Sequence, residues 1–361
     1  GKTTPAIVRQ VLHPGIFIMM LAYIYLTDKP FISIFIAYVA ALFIVVLIIG
    51  VYSRSRLNFK LRTFTQSTHK KELLLFSLPL LGSSMLGTLM RWTDTAMIGR
   101  YMQASDVAVY SISVSLMSLT PFFMYALSFM FMPIASKMYG KNNINELKRI
   151  YQITTKWGFY CTIPLFVVLF FFSEMVIITL FGDYYVAASV PLKLLTSAWM
   201  FHIFLGQASS LLVVYGHSNV LFKITVFATV LNVFLNYLFL KHLGLGITGA
   251  AMATAISIFF SSTISAIILY KVSKLHIFSL NYIKPIFGAF VSALLVYALA
   301  KSIELSLWLL PVYFVMFIIG FILSIFLTRS VEREDLVLLE GILRRSNINT
   351  SWLKWLQDRI K

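Results

Sequence analysis

A pair of long apolar runs constrains the fold of this chain more than any other feature. The runs cover about 73–92 and 107–132; Arg91 lies at the end of the first run, and the polar segment between the runs contains Asp94 and Arg100. A helix needs about 20 apolar residues to cross the hydrocarbon core of a bilayer, and each run supplies that length. Two such runs with a polar connection predict a helical hairpin in a membrane.

The composition extends this prediction to the whole chain. Of the 361 residues, 59% are hydrophobic and only 12% are charged, which is about half the charged share of an average soluble domain. We therefore predict an all-α integral membrane protein with about ten transmembrane helices. The predicted spans are about 14–27, 31–52, 73–92, 107–132, 151–173, 187–214, 220–240, 247–270, 282–300 and 307–327.

The distribution of charge predicts how the chain lies in the membrane. The segments 53–72, 133–150 and 271–284 are rich in Lys and Arg, whereas 174–186 holds acids only and 301–306 holds one base and one acid. Cytoplasmic loops carry an excess of Lys and Arg. This alternation predicts a multi-pass cell-membrane protein with both termini in the cytoplasm. It also explains the net charge of +17, because the cytoplasmic loops carry the excess of Lys and Arg. We therefore expect the lipid bilayer as a partner and no nucleic acid.

The same loops divide the chain into segments. The segment 329–361 carries leucines and tryptophans at helical spacing, which fits an interfacial amphipathic helix or a lightly docked cytoplasmic helix. The predicted parts are a helix pair at 1–52, a basic cytoplasmic linker at 53–72, a six-helix lobe at 73–270, two additional transmembrane helices at 271–328 and a cytoplasmic amphipathic tail at 329–361.

Three charged residues at the end of the first run are candidates for substrate binding. Arg91 and Asp94 stand three residues apart and so share a helix face, and Arg100 follows. One interpretation is an interfacial salt bridge that closes the span. The other is a cationic gate that meets a phosphate, because arginine binds phosphate through two parallel hydrogen bonds.

Four further candidates lie in later spans. Asn232 and Asn236 are four residues apart on one face, where they bond neighbouring helices or line a solvated cavity. His202 lies about ten residues inside the sixth predicted span, with Gln207 on a nearby turn. An ionisable group inside a membrane is a functional hypothesis, and a hydrogen-bonded core histidine is the alternative.

The acids and the missing motifs restrict the class of protein. All thirteen Asp and Glu residues are expected at span ends, in loops or in the tail, so no carboxylate is expected at the bilayer midplane, where a cation pump would need one. The sequence contains no HExxH, GxSxG or phosphate-binding loop motif and no Cys/His metal spacing. We therefore expect no enzyme, no cofactor and no metal site.

An ordered set of segments resembles a known family. The hairpin PLLGSSMLGTLMRWTDTAMIGRYMQASDVAVYSIS is followed by FMPIASKMYG, LFGDYYVAASVPLKLL, VYGHSNVLFK, VLNVFLNYLFL and LGLGITGAAMATAIS, over roughly 70–330. Together they are similar to the second lobe of polysaccharide-biosynthesis flippases of the O-antigen type. These proteins belong to the multidrug/oligosaccharidyl-lipid/polysaccharide flippase superfamily.

The resemblance implies a fold and a function. The family has two six-helix lobes around a central cavity, often with two extra C-terminal helices. On that template the first two spans end an incomplete first lobe whose first four helices are missing. The implied function is the flipping of a polyprenyl-phosphate-linked oligosaccharide for surface polysaccharide or glycan synthesis. Lipid-linked oligosaccharide and glycan-assembly membrane proteins are the implied partners.

Two other functions remain as alternatives. One is a multidrug or cation antiporter of the same superfamily, which the expected lack of an intramembrane carboxylate disfavours. The other is a polyprenyl-dependent membrane glycosyltransferase or polymerase, which would need catalytic acids in a large outer loop, whereas the outer loops here are short.

The alternating loops make a testable topology. Single cysteines placed within 174–186 should react with a membrane-impermeant thiol reagent in intact cells, and cysteines within 53–72 should react only after lysis. Equal labelling of both loops from outside would contradict the predicted orientation.

Overall fold

The computed structural model describes the chain as helices joined by short connections. The described residues are 13–27, 30, 32–56, 70–277, 280–302 and 309–328, and no strand occurs among them. Most of the predicted linker and the whole predicted tail at 329–361 lie outside the described residues. The helices group into two compact units, Gly1–Lys71 and Glu72–Lys361.

The first unit contains two apolar helices, α1 (His13–Leu26) and α2 (Ile32–Arg56). Small side chains at Ala37 and Ala41 are buried, four residues apart on one face of α2. Phe17 of α1 meets Tyr38 of α2 edge to face, with ring centroids 5.4 Å apart. The two helices therefore pack as a hairpin.

The second unit holds the remaining described helices. Where the structure describes them, all ten predicted apolar runs are largely helical. Seven helices are long and apolar enough to cross a membrane, or eight if one bent pair counts as a single span, and Gly15–Leu26 and Pro311–Leu327 are shorter apolar helices. The chain is therefore a multi-pass membrane protein. The helices of this unit are α3 (Lys70–Tyr101), α4 (Ala104–Met117), α5 (Phe122–Gly140), α6 (Ile144–Phe171), α7 (Ser173–Phe181), α8 (Ser189–Phe204), α9 (Ala208–Val214), α10 (Ser218–Tyr237), α11 (Gly246–Ser273), α12 (Leu280–Ser302) and α13 (Leu310–Leu327).

The helix α3 extends well beyond its predicted end at about residue 92. It continues through Arg91 and Asp94 to Tyr101, so the predicted polar hinge is shortened to the junction with α4. The helix continues without a break from residue 92 to residue 101. The polar residues in this stretch contact other residues and do not mark a turn. Pro79 lies inside α3, where its carbonyl accepts a hydrogen bond from Ser83 Oγ at 2.9 Å.

Two other predicted spans are interrupted. The run at about 107–132 is divided into α4 and α5, which bend by 48°. The run at about 187–214 is divided into α8 and α9 at residues 205–207. Short 3-10 and π-helical turns, Asp183–Ala188 and Leu238–His242, join α7 to α8 and extend α10.

The break between α8 and α9 is held by groups from two other helices. Tyr151 of α6 donates to the Leu205 carbonyl at 3.2 Å, and Tyr282 of α12 donates to the Phe204 carbonyl at 2.9 Å. These bonds satisfy carbonyls that the interrupted helix leaves free, as a membrane interior requires. Gly206 takes a left-handed φ of +74° at the break, and a Cβ there would clash with the Thr155 side chain.

We expect Gly206→Ala to lower the melting temperature of the purified protein more than Gly216→Ala does. Gly216 has a similar φ of +79° but open space around it. Both variants therefore carry the left-handed backbone penalty of about 1–2 kcal/mol, and Gly206→Ala adds overpacking of about 1–3 kcal/mol. Adding Thr155→Ala should remove the second part only. Equal melting temperatures for the two single variants would contradict the close packing at the break.

Candidate functional site

Asp94 is buried in the second half of α3. Its side chain is only 3% exposed, although Leu74–Tyr101 is apolar enough to cross a membrane. The prediction that every acid lies at a span end, in a loop or in the tail is therefore wrong for Asp94. Ionisable groups within membrane spans are costly, and they are typically paired inside the protein and functional.

Four side chains donate hydrogen bonds to the Asp94 carboxylate. The hydroxyls of Tyr110 and Thr254 donate to Oδ2 at 2.7 and 2.5 Å. The amide nitrogens of Asn236 and Asn232 donate to Oδ1 at 2.8 and 3.3 Å. These five residues, here called the Asp94 cluster, join α3 to α4, α10 and α11. Four hydrogen-bond donors stabilise the charged form of a carboxylate, which burial alone would disfavour.

The partners are placed by the local structure of their helices. Asn232 and Asn236 stand one turn apart on α10, so both face Asp94, and the Asn236 amide also donates to the Asn232 carbonyl at 3.0 Å. Thr254 reaches the cluster from a stretch of α11 that is rich in small residues. Gly249 on that stretch leaves no room for a side chain, because a Cβ would lie 2.9 Å from the Phe239 Cβ.

Two oxygens of the cluster lack a donor. With their nitrogens turned to Asp94, Asn232 and Asn236 leave their side-chain oxygens buried and without a hydrogen-bond partner. Buried polar atoms are normally satisfied, so an orphaned pair calls for a reason. Carboxylate, amide and hydroxyl oxygens are ligands that a hard cation prefers and that thiolate- or imidazole-preferring metals do not. The Asp94 carboxylate can take up a proton, and the two orphaned amide oxygens are buried acceptors on the residues that bind it.

Arg91 lies apart from this cluster. Its guanidinium is exposed and donates to Thr88 Oγ1 at 3.2 Å, and the structure contains no salt bridge between Arg91 and Asp94, both of which it describes. The predicted interfacial salt bridge is therefore wrong.

His202 makes a hydrogen bond between two helices. Its Nδ1 lies 2.7 Å from Ser262 Oγ of α11, and its ring meets Trp199 edge to face at 5.4 Å. Trp199 in turn meets Tyr125 at 6.2 Å. The contact with Ser262 is what the interpretation as a hydrogen-bonded core histidine predicts.

Gln207 lies at the break before α9 and not on a helical turn with His202. Its amide nitrogen donates to Ser128 Oγ of α5 and its side-chain oxygen accepts from Ser210 Oγ at 3.0 Å. Gln207 is buried, so these bonds tie α5 to the broken span. This is a positioning contact between helices.

The structure thus brings together three of the seven predicted residues: Asp94, Asn232 and Asn236. Arg91, Arg100, His202 and Gln207 lie elsewhere. Sequence reasoning missed Tyr110 and Thr254, whose hydroxyls complete the cluster. No local signal marks either residue, since a tyrosine and a threonine are ordinary in a membrane helix.

Two family models match the chain. The model described as MatE matches residues 79–238, and the model described as Polysaccharide biosynthesis protein matches residues 3–139. The "Probable low-salt glycan biosynthesis flippase Agl15" of Haloferax volcanii is 28% identical over 178 residues. That match covers 48% of this chain and 37% of the relative, so the chain spans well under half the length of this curated protein.

Two solved structures share the fold. The lipid II flippase MurJ in an inward closed conformation has a TM-score of 0.64 and 18% identity, covering 92% of this chain and 68% of its own. A crystal structure of a MATE mutant has a TM-score of 0.60 and 17% identity, covering 73% of this chain and 61% of its own. At such identities the likeness concerns the fold alone.

Proposed function

We propose that this chain, as a member of the multidrug/oligosaccharidyl-lipid/polysaccharide flippase superfamily, moves a lipid-linked oligosaccharide. The cargo would cross the cell membrane for glycan synthesis. The match to a polysaccharide biosynthesis model and the likeness to a glycan biosynthesis flippase support this cargo. The observation that carries a transport mechanism is the Asp94 cluster, an ionisable site buried in a membrane span.

In this proposal the Asp94 cluster couples transport to a cation. A ligand shifts a conformational equilibrium only by binding one state better than another. A monovalent cation would neutralise Asp94 and offer a partner to the orphaned oxygens of Asn232 and Asn236, so it would favour the state in which α3, α10 and α11 are joined. A proton on Asp94 would neutralise the charge but leave those amide oxygens without a donor.

Arg91 would bind the phosphate of the cargo. Its guanidinium is exposed and has only a hydroxyl as its hydrogen-bond acceptor among the described residues. A guanidinium matches two phosphate oxygens at once. This arrangement supports a lipid-linked phosphate as the group that enters here.

A cation-coupled antiporter of the same superfamily is the second candidate function. The argument against it from the sequence was the expected lack of an intramembrane carboxylate, and the buried Asp94 removes that argument. The match to the MatE model also favours this candidate. The glycan-related matches favour the flippase, and the transported cargo distinguishes the two.

We expect sodium chloride to raise the melting temperature of the purified full-length protein relative to choline chloride at equal ionic strength. Occupancy at 100 times the dissociation constant stabilises a protein by about 2.7 kcal/mol, which is a rise of about 3 °C or more. Asp94→Asn should abolish this response, because the amide replaces a carboxylate oxygen with a donor. Asp183→Asn, at an exposed acid, is the matched control.

The same measurement separates cations from protons. A melting temperature that responds to pH and not to sodium would assign the coupling to a proton. A response to neither in the wild-type protein would contradict the coupling role of the Asp94 cluster.

Arg91→Ala should reduce surface glycan about tenfold or more in a flippase-null strain that carries the full-length variant. The reason is the loss of a charge-assisted hydrogen bond, which is worth about 1.5–3 kcal/mol. Arg91→Lys should retain part of the export, since it keeps the charge and loses the two-pronged geometry. Protein abundance is checked by blot, and wild-type export by Arg91→Ala at equal abundance would refute the phosphate contact.

A further inference from the structure

Two bases and two tyrosines meet where α3 and the π-helical end of α10 come together. The Arg100 guanidinium lies 5.8 Å from the ring centroid of Tyr101, and Tyr101 meets Tyr237 edge to face at 6.3 Å. Lys241 Nζ donates to Tyr237 Oη at 3.0 Å and lies 4.9 Å from that ring centroid. His242 meets Tyr237 edge to face, with ring centroids 5.1 Å apart. These five residues are called the Arg100 patch below.

The bases of the Arg100 patch are exposed and have no acid partner. Among the residues that the structure describes, the salt bridges are Arg149–Glu146 and Lys193–Glu174, so neither Arg100 nor Lys241 is neutralised. The Tyr101–Tyr237 ring pair links the Arg100 guanidinium to the Lys241 ammonium. Like charges held together by aromatic rings leave a site that favours an anion.

The position of the patch makes its charge unusual. The helix α3 begins at Lys70, where the basic linker ends in the sequence, and Arg100 lies near its other end. On the orientation that the basic loops predict, this is the outer face, where Lys and Arg are normally scarce. A cationic site there needs an explanation other than membrane topology.

The patch also lies directly above the Asp94 cluster. Tyr101 follows Asp94 by seven residues, which is about 10 Å of helix rise on nearly the same face. Tyr237 is the neighbour of Asn236, and Lys241 lies in the π-helical turn Leu238–His242 that extends α10. Single π-helical turns are frequent at functional sites. The seam between α3 and α10 thus holds a buried acid below and two exposed bases above.

We propose that the Arg100 patch binds the diphosphate of the lipid-linked cargo at the face opposite the basic linker, where the cargo arrives after crossing. This inference rests on the flippase function proposed above. Two cations linked by one pair of tyrosine rings match a diphosphate, which carries more than one negative charge, better than a phospholipid diester, which carries a single charge. The guanidinium supplies a two-pronged contact and the ammonium a point charge.

The test measures the binding of farnesyl diphosphate, a water-soluble prenyl diphosphate, to the full-length protein in nanodiscs of zwitterionic lipid by calorimetry. We expect the double variant Arg100→Gln/Lys241→Gln to bind roughly tenfold more weakly or worse. The charge-retaining variant Arg100→Lys/Lys241→Arg should recover most of the affinity. Both side chains are exposed, so folding should persist, and size-exclusion profiles check it.

The matched control is Lys271→Gln/Lys274→Gln. These two lysines lie at the C-terminal end of α11, whereas the patch lies near the N-terminal end of that helix. Lys274 also lies over a tyrosine ring, 5.5 Å from the centroid of Tyr270, so the control removes the same chemistry at the opposite face. It should bind as the wild-type protein does. Equal loss in both double variants, or no loss in the patch variant, would overturn the assignment of the patch.

Competition identifies the source of the phosphate. If inorganic pyrophosphate competes as well as the prenyl diphosphate, the patch takes free phosphate, and if phosphatidylglycerol in the nanodisc abolishes binding, it holds a phospholipid headgroup. Either result overturns the proposal. A wild-type protein that binds no prenyl diphosphate would refute the proposed cargo as well, whereas wild-type binding that the patch variant retains would refute the patch alone.

Discussion

The burial of Asp94 among donors from other helices is the interaction on which the arrangement of this lobe depends. A charged side chain within a membrane helix is unfavourable, by an amount that reaches about 2.5–3.5 kcal/mol at the helix centre on insertion scales. Here the carboxylate accepts from a tyrosine, a threonine and two asparagines that belong to α4, α10 and α11. Its stability therefore requires all four helices to be in place, and the cluster fixes how α3 meets the others.

The hydrogen bonds to Asp94 are more important for holding α3 because much of this helix is exposed. Apolar residues along the first two thirds of the helix face outward: Leu74, Leu81 and Leu89 are 64%, 58% and 56% exposed. Near its end, Asp94 and Ile98 are buried. In its first half, α3 also meets α10 closely, because a Cβ at Gly82 would lie 2.6 Å from the Phe222 ring. The cluster therefore supplies the polar attachment of a helix whose other contacts are apolar.

The sequence predicted the helices better than the contacts between them. All ten apolar runs are largely helical where the structure describes them, because length and apolar character alone decide whether a segment can cross a bilayer. The end of α3 was misplaced because Arg91 and Asp94 look like an interfacial pair when only near neighbours are considered. The partners of Asp94 on α10 and α11 lie 138 to 160 residues away, and local polarity carries no information about them. The spacing of Asn232 and Asn236 did predict their shared face.

The separation of the charges on α3 is itself informative. Asp94 and Arg91 are three residues apart and could have formed a salt bridge at little entropic expense, yet the acid is buried and the base is exposed. A salt bridge would have neutralised both groups and left neither able to bind a ligand. Kept apart, the carboxylate is held by four donors from other helices, and the guanidinium is left exposed. One helix therefore carries a buried anion and an exposed cation at separate positions, which is the arrangement that the proposed coupling of a cation to an anionic cargo uses.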